Sequence, residues 1–391
     1  MDYIRKRSLN TLVLLTLGVC VFTMLDNSVP NSSIFKLIAL FLDVAVIFWA
    51  LFNIGGNYLC KSLNGKIIFS TIVIVLCFLF SPYSPRYSML LKFFGYFTLF
   101  LYGKLCASKG YEFSCNRIVL LSCILLPLLV VLFLDDSPQK TKFFANSNMF
   151  TFWGISMSLL YYLIKSKKNN VMVYCWLILV GHIVAGTSLG IIVAVMISIC
   201  ILNWNRINKL ASLLIIVLMV LCIMYLDIPA FARMRDSIAI FNSLTIDDFI
   251  HTENVNFYEI QSAHSGSGRD DNASFLWRIM QWTTLLTGYI VSPLNYLFGM
   301  GADWSIAYTQ KPPHNDFVLI LVEYGIIVFS FILSFVKKVY QVIKVDNVVY
   351  FILPIIIYHI TENLLDTFPP NIFFYLSIGY FYTKLNNHRC I

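Results

Sequence analysis

Charge is scarce in this chain. Asp, Glu, Lys and Arg make up only 12% of its 391 residues, whereas 59% are hydrophobic. That is too little polar material to cover a water-soluble globule, and a mean hydropathy of +0.76 places the chain in a bilayer. Other absences narrow the chemistry. The ten cysteines contain no C-x-x-C pair, so the usual signature of a thiolate metal site is missing. None of them falls in a segment expected to face outward, so no disulfide framework is implied. There is no D-x-D, and the first outward loop, DNSVPNSS, offers only Asp26; no metal or other cofactor is expected. The stretch after the first apolar run, TMLDNSVP, lacks a small-x-small cleavage site, which favours a retained helix over a signal peptide. No internal repeat or low-complexity tract is visible.

What is present is a series of apolar runs close to the roughly 20 residues a helix needs to cross about 30 Å of hydrocarbon. We read spans at 9–25, 34–52, 66–82, 88–106, 117–134, 148–164, 171–186, 188–203, 209–226, 315–336, 348–365 and 371–385. The expected fold is therefore an all-α polytopic membrane protein of about twelve helices. Lysine and arginine near short loops stay cytoplasmic. Placing both termini inside leaves ten of the 28 lysines and arginines facing outward, five of them in one long segment. The net charge of +8 then records topology and is poor evidence for nucleic acid binding.

The expected organisation is a nine-span region over 1–226, a large extracytoplasmic loop over 227–314 and a three-span region over 315–391. The first part of the loop ends in the flexible-looking QSAHSGSGRDDNAS. Its second part, FLWRIMQWTTLLTGYIVSPLNYLFGMG, is apolar but holds Arg278 and is interrupted by Pro293. We read it as a helix at the outer interface, anchored by Trp277 and Trp282.

Polar residues gather where this loop enters the tenth span, in KPPHNDFVLILVEYGIIVF at 311–329. Ordinary readings exist for several. Asn315 or Asp316 suits a helix cap, because a side-chain oxygen satisfies free amides and an acid complements the dipole. Glu323 lies seven residues after Asp316, on a similar face, and a carboxylate within a span must face protein or a wet cavity. An isolated interfacial histidine such as His314 is ordinarily just tolerated at the boundary. Its company changes the reading, because Arg278, Arg269, Lys311 and either Arg233 or Arg235 share its loop and its side of the membrane. Guanidinium groups grip phosphate with forked hydrogen bonds. A base beside such a clamp points to transfer from a phosphate leaving group.

At these residues the chain resembles the O-antigen polymerases and ligases of bacterial envelopes. PHNDFVLILVEYGIIVF resembles the family's histidine-asparagine pair opening a span that continues with an acid and a glycine. TKFFANSNMFTFWGI at 141–155 resembles a second signature, in which phenylalanine and paired asparagines precede a span. Arg278, Trp282, Pro293 and FGMG at 298–301 fit the arginine-bearing segment before the histidine. The resemblance covers roughly 140–330. One departure stands out: AGTSLGIIVA has Leu189 where relatives often carry arginine, so no phosphate role passes to 187–190 and Arg86 or another outward cation is expected to substitute.

The resemblance implies a multi-pass protein of the bacterial inner membrane whose active site faces the periplasm. Its donor would be a glycan linked through pyrophosphate to a polyprenyl (undecaprenyl) carrier, with membrane lipid and a chain-length regulator protein as further partners. An acceptor hydroxyl would attack the anomeric carbon as pyrophosphate leaves, inverting that centre. His314 would take or orient the hydroxyl proton, and Arg278 with Arg269 would stabilise the leaving group. Substrate contacts are further expected from Arg233, Arg235, Lys311, Arg86, Asn315, Asp316 and Glu323. Trp304, Tyr289, Tyr296 and Tyr308 would suit sugar stacking or an interfacial belt equally. A polymerase, extending a carrier-linked repeat unit, is favoured over a ligase acting on lipid A-core because PHND followed by LVEYG looks closer to that branch.

A different class stays open. Asp43, His182, Glu323, His359, Glu362 and Asp366 could line the path of a carrier-lipid flippase. The long outward insertion, and the lack of matching broken helices in two halves, count against it. His359 and Glu362, at i and i+3, make a weak metal pair and a more ordinary polar packing pair.

Overall fold

Apolar runs commit to helix because a backbone in lipid must satisfy its own hydrogen bonds. The computed structural model describes residues 6–28, 33–56, 58–59, 65–134, 147–166, 168–186, 189–203 and 274–389, with 217, 221, 224, 225 and 235. Among these the helices are α1 (Asn10–Ser28), α2 (Ser33–Ile54), α3 (Gly65–Leu79), α4 (Tyr87–Ser108), α5 (Arg117–Leu134), α6 (Ser147–Lys165) and α7 (Val171–Gly186). They continue with α8 (Leu189–Asn203), α9 (Ser274–Tyr289), α10 (Pro293–Phe298), α11 (Trp304–Thr309), α12 (Asp316–Ile343), α13 (Val349–Tyr358) and α14 (Phe368–Arg389). Two three-residue strands, β1 (Lys6–Ser8) and β2 (Glu112–Ser114), pair in parallel.

This is a helical membrane protein. Ile34–Ile54, Tyr87–Ser108 and Asp316–Ile343 are long and apolar enough to cross a bilayer, and six shorter described helices are apolar. Large side chains point outward from them: Phe41, Phe48 and Phe52 on α2 are 70%, 65% and 90% exposed. Such a stripe is untenable in water and ordinary against lipid. The expected ninth span, 209–226, falls almost wholly outside the described residues. The eleventh helix of the sequence reading, set at 348–365, stops at Tyr358 and gives way to a 3-10 turn at Leu364–Asp366. The tenth, set at 315–336, runs on to Ile343 but carries a break at Gly325.

The chain folds as two units. The first comprises 1–75, 86–198 and 331–391, the second 76–85 and 199–330. In the first, α4 packs along α14, α6 against α7, and α1 against α2. Tyr96 stacks between Tyr375 and Phe368 at 4.7 and 5.5 Å, while Trp153 Nε1 donates to the Cys123 carbonyl at 3.2 Å, tying α6 to α5.

Charge sorts to the ends of this first unit. At one end β1 pairs with β2, Arg7 lies over Tyr111, and Tyr380 donates to the Tyr111 carbonyl while Lys384 covers its ring. Lys165 lies within electrostatic reach of Arg117 and Lys6. These cations are ones the positive-inside rule assigns to the cytoplasm. The opposite end holds Arg86, Lys92, Asn148, Glu362 and Asp366.

In the second unit, Leu285, Tyr289, Trp304 and Val322 form a core from α9, α11 and α12. Tyr289 and Trp304 are therefore packing residues, and Tyr308 stacks on Trp304 at 4.9 Å with about half its surface exposed.

Candidate functional site

The second unit is organised by a broken helix. Gly325 interrupts α12 at φ 78°, ψ 173°, and Gly299, at the end of α10, adopts φ 83°, ψ 176°. Only glycine occupies that region readily. The two glycines face each other across a close approach: a Cβ on Gly299 would collide with the Glu323 backbone, and one on Gly325 with the Leu297 carbonyl. The break frees carbonyls from the helical ladder, and the 298–301 loop takes them up. Met300 N donates to the Val322 carbonyl at 2.8 Å and Gly301 N to the Glu323 carbonyl at 3.2 Å. Broken backbone at membrane depth persists only with such internal partners. The end of α3 completes the joint, with Ala302 N donating to the Cys77 carbonyl and Ser81 Oγ to the Ala302 carbonyl at 2.7 Å.

Glu323 is buried in this joint. Its Oε1 accepts from Ser305 Oγ at 2.5 Å and from Ser305 N at 3.4 Å. The carboxylate thus sits at the N-terminus of α11, where free amides and a positive dipole end favour it. It faces protein, as an acid within a span must.

From α11 the chain runs to His314 through unusual backbone. Asp303, Gln310 and His314 have φ of 60°, 59° and 46°, left-handed conformations that cost roughly 1–3 kcal/mol each in non-glycine residues unless the surroundings enforce them. Around Gln310 and His314, consecutive side chains of α9 supply that enforcement. Gln281 Nε2 reaches Thr309 Oγ1 at 2.9 Å, the Lys311 carbonyl at 2.8 Å and the Pro312 carbonyl at 3.2 Å. Trp282 Nε1 donates to the Pro313 carbonyl at 2.5 Å. Each carbonyl of the three residues before His314 is therefore held by α9. On the other side Asn315 Oδ1 accepts from Phe317 N and Val318 N, both at 3.0 Å, and Leu319 N donates to the Asn315 carbonyl at 3.0 Å. This is the cap geometry that the residue type suggests. Asp316 is buried in the first turn of α12, where the dipole favours an acid.

Arg278 belongs to the same construction. It is half-buried on α9, three residues before Gln281, which is about 4.5 Å along a helix axis. Lys311 is exposed in the held loop. Arg235 is described only as a single half-buried helical residue, and Arg233 and Arg269 lie outside the described residues. Arg86 lies in the first unit, where its Nη1 contacts Asp366 Oδ2 at 3.0 Å. Lys92 joins it, reaching Asp366 Oδ1 at 2.6 Å. Burial pushes the Asp366 carboxyl upward, but Lys92 and then Arg86 outweigh it and hold the group below the usual aspartate range.

Gln281, Ser305 and Lys92 were not singled out in the sequence. A glutamine in a tryptophan-flanked apolar helix, and a lysine near the outer start of the fourth span, were the available signals.

Residues 172–333 match the family described as O-antigen ligase. The match bears out the resemblance seen in the sequence, and supports a function of O-antigen ligase or polymerase type. It runs from α7 into α12 and contains Arg278, the Gln281–Trp282 clamp, His314, Glu323 and Gly325; Arg86 and Asp366 lie outside it. No curated protein matches the chain.

Proposed function

We propose that this chain is an O-antigen polymerase: a membrane glycosyltransferase that moves a glycan from a polyprenyl-pyrophosphate carrier onto a carrier-linked repeat unit at the outer face of the inner membrane. The observation that supports it most is the fixing of His314 in a left-handed conformation by Gln281, Trp282 and the Asn315 cap, within the segment that matches the family. Strain held by so many contacts points to a positioned side chain.

In this reading the His314 ring accepts the proton of the acceptor hydroxyl. The hydroxyl oxygen forms a bond to the anomeric carbon of the donor, and the bond from that carbon to the pyrophosphate oxygen breaks. The electron pair leaves with the carrier pyrophosphate, whose growing charge Arg278 stabilises. Arg269, Arg233, Arg235 and Lys311 are the proposed partners of the remaining phosphate oxygens. Arg86 can take that part only by sharing a guanidinium that already contacts Asp366. Asn315 and Glu323 serve by holding the two helix starts, one on each side of the loop.

The test is transfer by purified protein given carrier-linked repeat units. A ladder of longer carrier-linked chains supports the proposal. The second reading is a ligase, the activity that the family's description names: decoration of lipid A-core without a ladder would replace the polymerase by it. Repeat units trapped on the cytoplasmic face of spheroplasts lacking the protein would instead indicate a flippase.

A further inference from the structure

Four cations of the first unit converge at the end where β1 meets β2. Lys6 opens β1, Arg117 opens α5, Lys165 closes α6, and Lys168 stands in the short link to α7. Local structure brings these segments together. Leu9 N donates to the Ser114 carbonyl at 2.8 Å and Asn116 N to Asn10 Oδ1 at 2.7 Å, so the strand pair leads directly into α5. Asn116 Oδ1 then accepts from Ile118 N at 2.9 Å. On the other side β2 packs against α6, and Lys168 N donates to the Lys165 carbonyl at 2.8 Å. Lys165, partly buried, is thereby within electrostatic reach of Lys168, Arg117 and Lys6.

Little offsets this crowding. None of the four makes an ion pair with a described residue; the described ion pairs join Arg86 and Lys92 to Asp366. Glu112 lies opposite Lys6 in the strand register, and near the end of α6 Asp346 Oδ1 already accepts from Tyr162 Oη and Val348 N, both at 2.8 Å. The positive-inside rule explains why each cation lies on its side of the membrane. It does not explain why four segments bring theirs together against mutual repulsion, an arrangement that an anion would relieve. The surface beside them is apolar. From Arg117, α5 continues with Ile118, Leu121, Leu125 and Leu129 on one exposed face, and Ile118, adjacent to the cation, is 74% exposed. α7, which packs against α5, shows Val173, Leu177 and Val180 in the same way. Both stripes run away from the cationic end. A ligand with an anionic head and a hydrocarbon tail matches the cations and the stripes together; a soluble anion would use only the first.

We propose that Lys6, Arg117, Lys165 and Lys168 hold the phosphate headgroup of an anionic phospholipid, whose acyl chains lie along the exposed stripe of α5. Basic clusters between helices at the cytoplasmic leaflet suit such headgroups, and ammonium and guanidinium groups bind phosphate oxygens with charge-assisted hydrogen bonds.

The test measures lipid binding to the full-length protein in neutral detergent by native mass spectrometry, with phosphatidylglycerol as the anionic probe, phosphatidylethanolamine as the zwitterionic one and inorganic phosphate as competitor. Phosphatidylglycerol should bind in preference to phosphatidylethanolamine, and phosphate should not displace it. Arg117→Gln combined with Lys168→Gln, two exposed side chains, should weaken phosphatidylglycerol binding about thirtyfold, the worth of two surface charges. Lys337→Gln combined with Lys338→Gln removes the same charge from exposed positions of α12 and should leave binding unchanged. Equal weakening by both pairs would overturn the site in favour of diffuse surface charge. Equal affinity for the two lipids would overturn headgroup recognition, and displacement by inorganic phosphate would make this a site for a free anion. If the first pair fails to accumulate, Lys168→Gln alone, outside any helix, should cost about fivefold; affinity equal to the parent would contradict the proposal. The readout is lipid binding, so this inference and the transferase reading stand or fall separately.

Discussion

The loop around His314 and the corner around Asp366 both collect polar residues in an apolar chain, yet they use them differently. At Asp366 the charges consume one another, with Arg86 and Lys92 on a single carboxylate. Around His314 the polar side chains bind backbone: Gln281 and Trp282 hold carbonyls, Asn315 caps amides, and Glu323 sits on the start of α11. An ion-pair cluster stabilises its surroundings by setting charge against charge. A set of side chains bound to backbone fixes the shape of a loop and keeps its own chemistry out of the bonding. Only the second arrangement delivers a histidine at a chosen angle, which is what proton transfer at a reacting hydroxyl demands.

Substitutions that separate shape from charge should sharpen the contrast. The largest effect is expected at the helix break. Gly325→Leu places a side chain where the Leu297 carbonyl and Gly299 lie, in a conformation that only glycine accepts. The joint should not form, and the variant should be lost from membranes on immunoblots; normal accumulation would show that α12 can be unbroken. Next comes Arg278→Lys, which preserves charge and loses the forked contact to phosphate. Polymer formation should fall by about ten- to a hundredfold, as expected for the removal of a charge-assisted hydrogen bond, with expression intact. Activity equal to the parent would make Arg278 an interfacial anchor.

Gln281→Leu should cost less. Removing the hold on Lys311 and Pro312 while Trp282 remains should lower the transfer rate about tenfold, the worth of roughly one buried hydrogen bond. A positioning role leaves the pH profile of the residual activity in place, so a shifted profile would assign Gln281 a direct part in proton transfer.

The smallest effect belongs to the ion-pair corner. Because Asp366 is held below the usual range in the folded protein, its contribution to stability is full above about pH 4 and is lost as pH falls through its lowered value. The groups are partly exposed, so Asp366→Asn should remove less than about 1 kcal/mol near neutrality. Thermal melts of both proteins across acid pH should converge as pH drops; a gap that persists in strong acid would mean a loss of packing.

The helices were the most readable part of the sequence. The runs at 117–134 and 171–186 became Arg117–Leu134 and Val171–Gly186, because apolar residues dominate both, even across Pro127 and Gly181, and Arg117 and Asn170 mark where they begin. Hydropathy was less use where polar residues enter. α13 stops at Tyr358, short of the apolar-looking LL at 364–365, and the chain turns at once, with Ile360 N and Thr361 N donating to the Ile357 and Tyr358 carbonyls. The prolines and the HND of the site were visible as a helix mouth. The break at Gly325 was not, since its cause is Gly299 in another element. Likewise Lys92 finds Asp366 274 residues away, a pairing that no local pattern records.

The most direct test of the account is glycan transfer by His314→Ala and His314→Gln, purified at equal yield and given carrier-linked repeat units. If His314 takes the acceptor proton, alanine should reduce the rate by about a hundredfold to ten-thousandfold, and glutamine, which can hydrogen-bond but cannot accept and release a proton, should rescue little of it. A ladder formed by His314→Ala at the rate of the parent would contradict the account and leave this loop as a carefully capped helix start.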